Sequence, residues 1–170
     1  MGLFFIRIAI LIEFECNILC TQYSRDKHSE LDVTEFNSLT SLVGQLCWVG
    51  NQSRPDISFQ ACQLSVNLKS PTYSDVMMAK KCLSKMKAKE LLKLKFCKVG
   101  DLGNSKLIVF TDASFANLLD CGSQAGMVIL LKGSNGNISP LYWRSKKIQR
   151  VVKSTTCAKA MALHWLLAVR

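Results

Sequence analysis

The sequence predicts an α+β protein in which helices come first and strands follow. Two observations carry this reading. Apolar residues recur at helical spacing from Phe36 to Met86, and beyond Ser105 they gather into short continuous runs. Between the two regimes, Gly100 to Ser105 is polar and glycine-containing, and it is the expected domain boundary. At 170 residues the chain can hold one ordinary domain or two small ones.

Residues 21–33 are polar and charged and read as a linker. Asp32 followed by Glu35 resembles a capping box, with Asp in place of the usual Ser or Thr. A helix then carries Phe36, Leu39, Val43 and Leu46 on one face, and Asn51 to Ser53 break it. Pro55 suits the first turn of a second helix, where its missing N–H costs nothing. Ile57, Ala61, Leu64 and Leu68 form that helix's apolar face.

Ser70-Pro71-Thr72 punctuates the chain, and Ser74 is the expected cap of a third helix. Val76, Ala79, Leu83 and Met86 give it an apolar face. Lys80, Lys81, Lys85 and Lys87 give it a basic one. Leu92, Leu94 and Phe96 alternate with Lys93 and Lys95, the pattern of a half-buried strand. Leu107–Thr111, Met127–Leu131 and Ile138–Trp143 are strand-like, with a turn at Gly133–Asn137. A basic stretch of Arg144, Lys146, Lys147, Arg150 and Lys153 leads into a closing helix from about Ser154.

A hydrophobic content of 49% is enough for a core, and the formal net charge of +10 favours a polyanionic partner or a solvated basic surface. The eight cysteines are scattered without a CxxC pair, and His28 and His164 lie far apart. A zinc site needs clustered ligands at short spacing, so the pattern argues against one. Cysteines on apolar faces act as small core residues and suit a reducing compartment. The expected location is therefore intracellular, with cytoplasm and nucleus both compatible. Trp48, Trp143 and Trp165 sit in apolar contexts and are expected to pack in the core.

The first fourteen residues, MGLFFIRIAILIEF, are apolar but interrupted by Arg7 and Glu13. They are too few to span a bilayer and fit a signal peptide poorly. They read as a buried strand or helix, or as a non-native extension. Gly2 lacks the downstream Ser or Thr of a myristoylation signal. No membrane association is expected.

Several blocks in order resemble one family. Thr40–Phe59, TSLVGQLCWVGNQSRPDISF, is similar to a segment that follows the reverse transcriptase palm in copia-type retrotransposon polyproteins. Phe110–Gly126, FTDASFANLLDCGSQAG, resembles the start of the ribonuclease H domain in the same polyproteins. Pro140–Ser145, PLYWRS, and residues 147–162 continue it. The resemblance covers about residues 32–168.

It implies a helical connection segment followed by a truncated ribonuclease H-like half-domain of three antiparallel strands and one helix. The implied organisation is an N-terminal extension or linker over 1–31, a thumb- or connection-like segment over 32–99, and the half-domain over 105–170. It also implies Asp112 as the family's first metal-binding carboxylate. The second, a Glu in a small-residue helix, maps onto Lys159 within Ser154–Leu163, STTCAKAMAL. The third and fourth fall in segments that follow Arg170 in the family order. The polymerase motif with paired aspartates is absent. Cys121 precedes Gly122, and Ala125 precedes Gly126, where the family's glycine pair is altered.

Phosphodiester hydrolysis at such a site uses two divalent metals about 3.5–4 Å apart. Each hard cation wants several oxygen ligands. Asp112 alone could hold one hydrated Mg²⁺ weakly, and a Lys159 ammonium beside it would compete for that place. An Asp112–Lys159 ion pair is therefore expected, with Asp120 left as a loop residue.

The resemblance implies cleavage of RNA in an RNA–DNA hybrid as the family activity, with Mg²⁺ as the family's metal. This copy is expected to be catalytically inert and to need no cofactor. The alternatives are a basic nucleic-acid-binding or interaction module without catalysis, and a poorly folded pseudogene product. A nucleic-acid partner, hybrid or duplex, would be held through its backbone without sequence preference by Lys80, Lys81, Lys85, Lys87, Arg144, Lys146, Lys147 and Arg150. In the ribonuclease H fold the first strand is central. Its outer neighbour would lie beyond Arg170, so this strand should keep an open edge. The chain should then self-associate through that edge or cover it with Leu3–Ile12.

Overall fold

The computed structural model describes residues 25–118 and 120–167. The readings made for the first fourteen residues, including Leu3–Ile12 as an edge cover, lie outside them. The described residues divide into two compact units, with the boundary between Leu92 and Lys93. The first is helical. The second is a three-stranded antiparallel sheet with one helix, so the α+β class stands.

In the first unit, α1 (Val33–Gln52) starts where the capping pattern puts it. The Glu35 N–H donates to Asp32 at 2.8 Å, and the Asp32 N–H donates to Glu35 at 3.0 Å. Two amides that the helix cannot satisfy internally are thereby paired. The Arg25 guanidinium also holds both Glu35 oxygens, at 2.8 and 2.7 Å. Residues 27–30 are tied to the start of the third helix, where the Tyr73 and Ser74 N–H groups donate to the Ser29 and Lys27 carbonyls.

After Ser53 closes α1, Pro55–Ile57 forms a 3₁₀ turn that leads into α2 (Ser58–Asn67). Helix α3 spans Tyr73–Ala88. Its cap is Thr72, not Ser74. The deciding residue is the buried Asp75, which accepts from the Thr72 N–H at 2.9 Å and from Asn67 Nδ2 at 2.7 Å. That pairing fixes the first turn two residues earlier than Ser74 would. Leu39, Leu42, Leu46, Ile57, Leu64 and Val76 are fully buried between the three helices. Trp48, expected in the core, is 41% exposed. It falls on the side of α1 opposite the Leu42–Leu46 stripe.

Arg54 is buried beside the 3₁₀ turn. Its Nε and Nη2 hold both Asp56 oxygens, at 2.9 and 3.1 Å, and Nη1 donates to the Met86 carbonyl at 3.3 Å. Lys85 donates to the Asp56 carbonyl. The Arg-Pro-Asp turn thus binds the last turn of α3, where unpaired carbonyls need donors.

In the second unit, the strand expected at Leu92, Leu94 and Phe96 does not form. Residues 92–101 have no regular structure, and Leu92 and Phe96 are exposed. Alternation makes a strand only when a neighbour completes the ladder, and no described strand lies beside this segment. The Lys98 carbonyl instead accepts from the Asn135 and Asn137 side chains, both at 2.9 Å.

Strands β1 (Lys106–Ser114), β2 (Gln124–Lys132) and β3 (Ile138–Lys147) run in the order β1-β2-β3. Asp112 pairs with Gly126, and Gly126 with Ser145. The third strand is longer than expected. It takes in Arg144, Lys146 and Lys147, which therefore belong to the sheet and not to a connecting stretch. A register shift at Ile129/Leu130 places an extra residue near Pro140, which has no N–H to give the ladder. At the turn between β2 and β3, a Cβ on Gly133 would meet the Val99 backbone, so only glycine lets the two segments approach. Helix α4 (Thr155–Leu167) packs on β1 and β2. No helix among the described residues is long and apolar enough to cross a membrane.

The Arg54 guanidinium beside Asp56 holds its carboxyl below the ordinary carboxylate range. A depressed folded value means stability that is present above the unfolded pKa, about 3.9, and lost as pH falls through the folded one. Denaturant midpoints of the parent chain should drop on acidification through that window. Asp56→Asn should be less stable at neutral pH and show a shallower acid dependence. Equal slopes for the two chains would show that the turn is not held by this charge.

Candidate functional site

The site is built where α4 meets the end of β1. Ala113 and Ala125 are cross-strand neighbours and both are buried. Ala158 and Ala162, one turn apart on α4, are buried against them. Four methyl side chains at one contact let helix and sheet approach closely. Ile148 completes the buried cluster, and Val152, Met161 and Trp165 pack around it. The helix starts at its polar signal: Ser154 Oγ accepts from the Cys157 N–H at 3.1 Å.

This packing sets the position of Lys159, one residue past Ala158. Its Nζ lies 3.4 Å from Asp112 Oδ1. The two residues singled out from the sequence are therefore brought together as an ion pair. The side chains are 60% and 79% exposed, respectively. An exposed pair of this kind contributes little stability, about 0–1 kcal/mol. Its consequence is local: the carboxylate already has a cation beside it. A Cβ on Gly126, opposite Asp112 in the sheet, would meet nothing within 4 Å.

Asp120 is engaged elsewhere. It pairs with Lys147, and the Gly122 N–H donates to it at 3.1 Å. These partners, the lysine first, hold its carboxyl below the ordinary range. A Cβ on Gly122 would meet the Asp120 carboxylate and the end of the Lys147 side chain, so both would have to shift to keep the pair. Sequence reading missed this contact because its partners are 27 positions apart and no local pattern links them. Ser123 was also missed. It is buried, accepting from the Ala116 N–H through Oγ at 3.0 Å and from the Ile148 N–H through its carbonyl at 2.8 Å. It joins the β1–β2 loop to the segment before α4.

Among the described residues, no group of three or more His, Cys, Asp or Glu comes together. What meets at Asp112, among the described residues, is one carboxylate and one ammonium. Two metals clamping attacking and leaving oxygens would need further acids.

The basic residues separate into two kinds. Lys80 lies 5.8 Å from the centre of the Tyr73 ring, and Lys85 is bound to the Asp56 carbonyl. Lys146 lies 5.2 Å from the Trp165 ring, and Lys147 pairs with Asp120. These four are half-buried against those partners. Lys81, Lys87, Arg144 and Arg150 are exposed, and Arg144 Nη1 also donates to the Tyr142 hydroxyl at 3.5 Å.

Fold and site together define an α+β protein whose one sheet carboxylate at this position is met by a helix lysine. No family model matches the chain. The chain is 33% identical over 122 residues to the transposon Ty5-1 protein YCL074W of Saccharomyces cerevisiae. The alignment covers 71% of this chain and 36% of that protein. The similarity supports a retrotransposon origin.

Lys159→Glu should raise the affinity for Mn²⁺ by roughly tenfold or more, since an opposing cation is exchanged for an oxygen ligand. Calorimetric titration of parent and variant reads this directly. A parent that binds as tightly as the variant would show that Lys159 does not guard Asp112 in solution.

Proposed function

We propose that the chain is a non-catalytic derivative of a copia-type retrotransposon polyprotein. In this reading, residues 32–99 correspond to the segment after the polymerase palm. Residues from 105 onward correspond to the opening of a ribonuclease H-like domain. The ordered sequence blocks, the helix-then-sheet arrangement and the similarity to a transposon protein support it. The observation that carries inactivity is the 3.4 Å approach of Lys159 Nζ to Asp112 Oδ1, at the helix position where the family resemblance expects a Glu. A neighbouring ammonium lowers the affinity of Asp112 for a second positive charge, and one carboxylate does not make a two-metal clamp.

No cofactor is assigned, and Mg²⁺ belongs to the active family members. The purified chain should leave an RNA–DNA hybrid intact with either Mg²⁺ or Mn²⁺. Cleavage that disappears in Asp112→Asn would overturn the reading. Lys159→Glu should not restore turnover, because two carboxylates still leave the two-metal clamp incomplete.

A second reading, backbone binding of nucleic acid without catalysis, is favoured by the exposed Lys81, Lys87, Arg144 and Arg150. Phosphate neutralisation makes log K fall with log salt by about 0.9 per contact on duplex DNA. Replacing Lys81 and Arg144 by Gln should flatten that slope. Lys80→Gln should flatten it less, since that ammonium already faces a ring. A slope unchanged by Lys81 and Arg144 would mean that these cations are only solvated.

A further inference from the structure

The turn between β2 and β3 holds the segment that precedes β1. Lys98 is exposed, but its carbonyl accepts from the Asn135 and Asn137 side-chain amides, each at 2.9 Å. The backbone of the next residue, Val99, lies against Gly133. Residues 92–101 have no regular structure, so no helix or strand ladder fixes them. Two amide donors on one carbonyl tie this stretch to the turn.

The turn is built on an Asn-Gly step, Asn135–Gly136. Gly136 has a φ of +79°, a left-handed conformation that glycine adopts without strain. Its N–H donates to the Gly133 carbonyl at 3.0 Å and closes the turn. Asn135 Oδ1 accepts from the Asn137 N–H at 3.0 Å while Nδ2 holds Lys98. Both polar atoms of the Asn135 side chain are therefore engaged.

An Asn-Gly step is chemically labile. With no Cβ on the glycine, its backbone nitrogen can reach the asparagine Cγ. Ring closure forms the N–Cγ bond and expels the side-chain nitrogen as ammonia. Water then opens the succinimide on either side of its nitrogen and leaves Asp or iso-Asp. One water is taken up, one ammonia is released, and no oxidation state changes. No other asparagine in the sequence is followed by glycine. Asn135 and Gly136 are both exposed, so water is at hand.

The closed turn opposes this reaction. The Gly136 N–H is committed to Gly133, and the Asn135 amide is held at both ends. Ring closure has to start from turns in which Asn135 has let go of Lys98. We infer that Asn135 is a spontaneous deamidation site gated by its hold on Lys98, and that its conversion releases residues 93–101 from the turn. The product does not reclose the clamp. A carboxylate has no N–H for the Lys98 carbonyl and sets acceptor against acceptor. Iso-Asp adds a backbone methylene inside the loop that the Gly133 N–H closes on the Asn137 carbonyl at 2.9 Å.

Ageing the full parent chain in H₂¹⁸O at mildly alkaline pH, followed by peptide mapping in a mass spectrometer, tests the site. The Asn135 peptide should gain the mass of deamidation, with ¹⁸O, before any other asparagine peptide does. It should convert about tenfold faster in urea, where the clamp is absent. Asn137→Ala removes one of the two amides on Lys98 and leaves Asn135–Gly136 intact. It should speed conversion in the folded chain and change nothing in urea.

The Lys98–Val99 bond reports the release, because trypsin needs that carbonyl for itself. Aged parent chain should be cut there faster than fresh chain, in step with the converted fraction and with unchanged circular dichroism. Earlier conversion of another asparagine would overturn the proposal. So would equal rates in buffer and urea, a folded-state rate indifferent to Asn137→Ala, or equal cleavage of fresh and aged chains.

Discussion

The close contact of Ala158 and Ala162 with Ala113 and Ala125 is the constraint on which the second unit depends. It brings α4 down onto the junction of β1 and β2, and everything at the site follows from that approach. A larger side chain at any of the four positions would lift the helix and draw Lys159 away from Asp112. The ion pair cannot do this work itself, because both partners are largely in water. Packing places the charges, and the charges then decide the chemistry.

The first unit shows the same division between packing and polar specification. Its core is an apolar stripe from each of three helices. Where those helices begin and end is set by polar groups: Asp32 with Glu35, Asp75 with Thr72 and Asn67, and Arg54 with Asp56 and the end of α3. The Arg-Pro-Asp block quoted from the sequence thus has a physical meaning of its own. Proline fixes the turn, aspartate orients arginine, and arginine caps a carbonyl 32 positions away.

Much of this was legible in the residues. The stripes of α1 and α2, the Asp32 cap, the turn at Gly133–Asn137 and the three strands all follow local periodicity or turn chemistry, which act within a few residues. The failures involve partners that local patterns do not show. Leu92, Leu94 and Phe96 alternate correctly but have no neighbouring strand. Ser74 looks like a cap until Asn67 fixes Asp75. Trp48 lies in an apolar stretch but on the outer side of its helix. Lys80, Lys85, Lys146 and Lys147, read as phosphate ligands, have ring, carbonyl or carboxylate partners within their own unit. At the site itself, the Asp112–Lys159 approach was legible only through the family resemblance, because 47 positions separate the two residues and no periodicity connects them.

The central claim is that Lys159 stands where a second metal ligand would be needed and so keeps divalent cations off Asp112. Paramagnetic broadening reads this at the residue concerned. In a chain carrying ¹³C-labelled aspartate carboxyl groups, Mn²⁺ is added in small steps and the loss of each aspartate signal is followed. The account predicts that Asp112 fades no earlier than the other exposed aspartates, and that it becomes the first to fade in Lys159→Glu. Selective loss of the Asp112 signal in the parent chain, at the lowest Mn²⁺ additions, would contradict it.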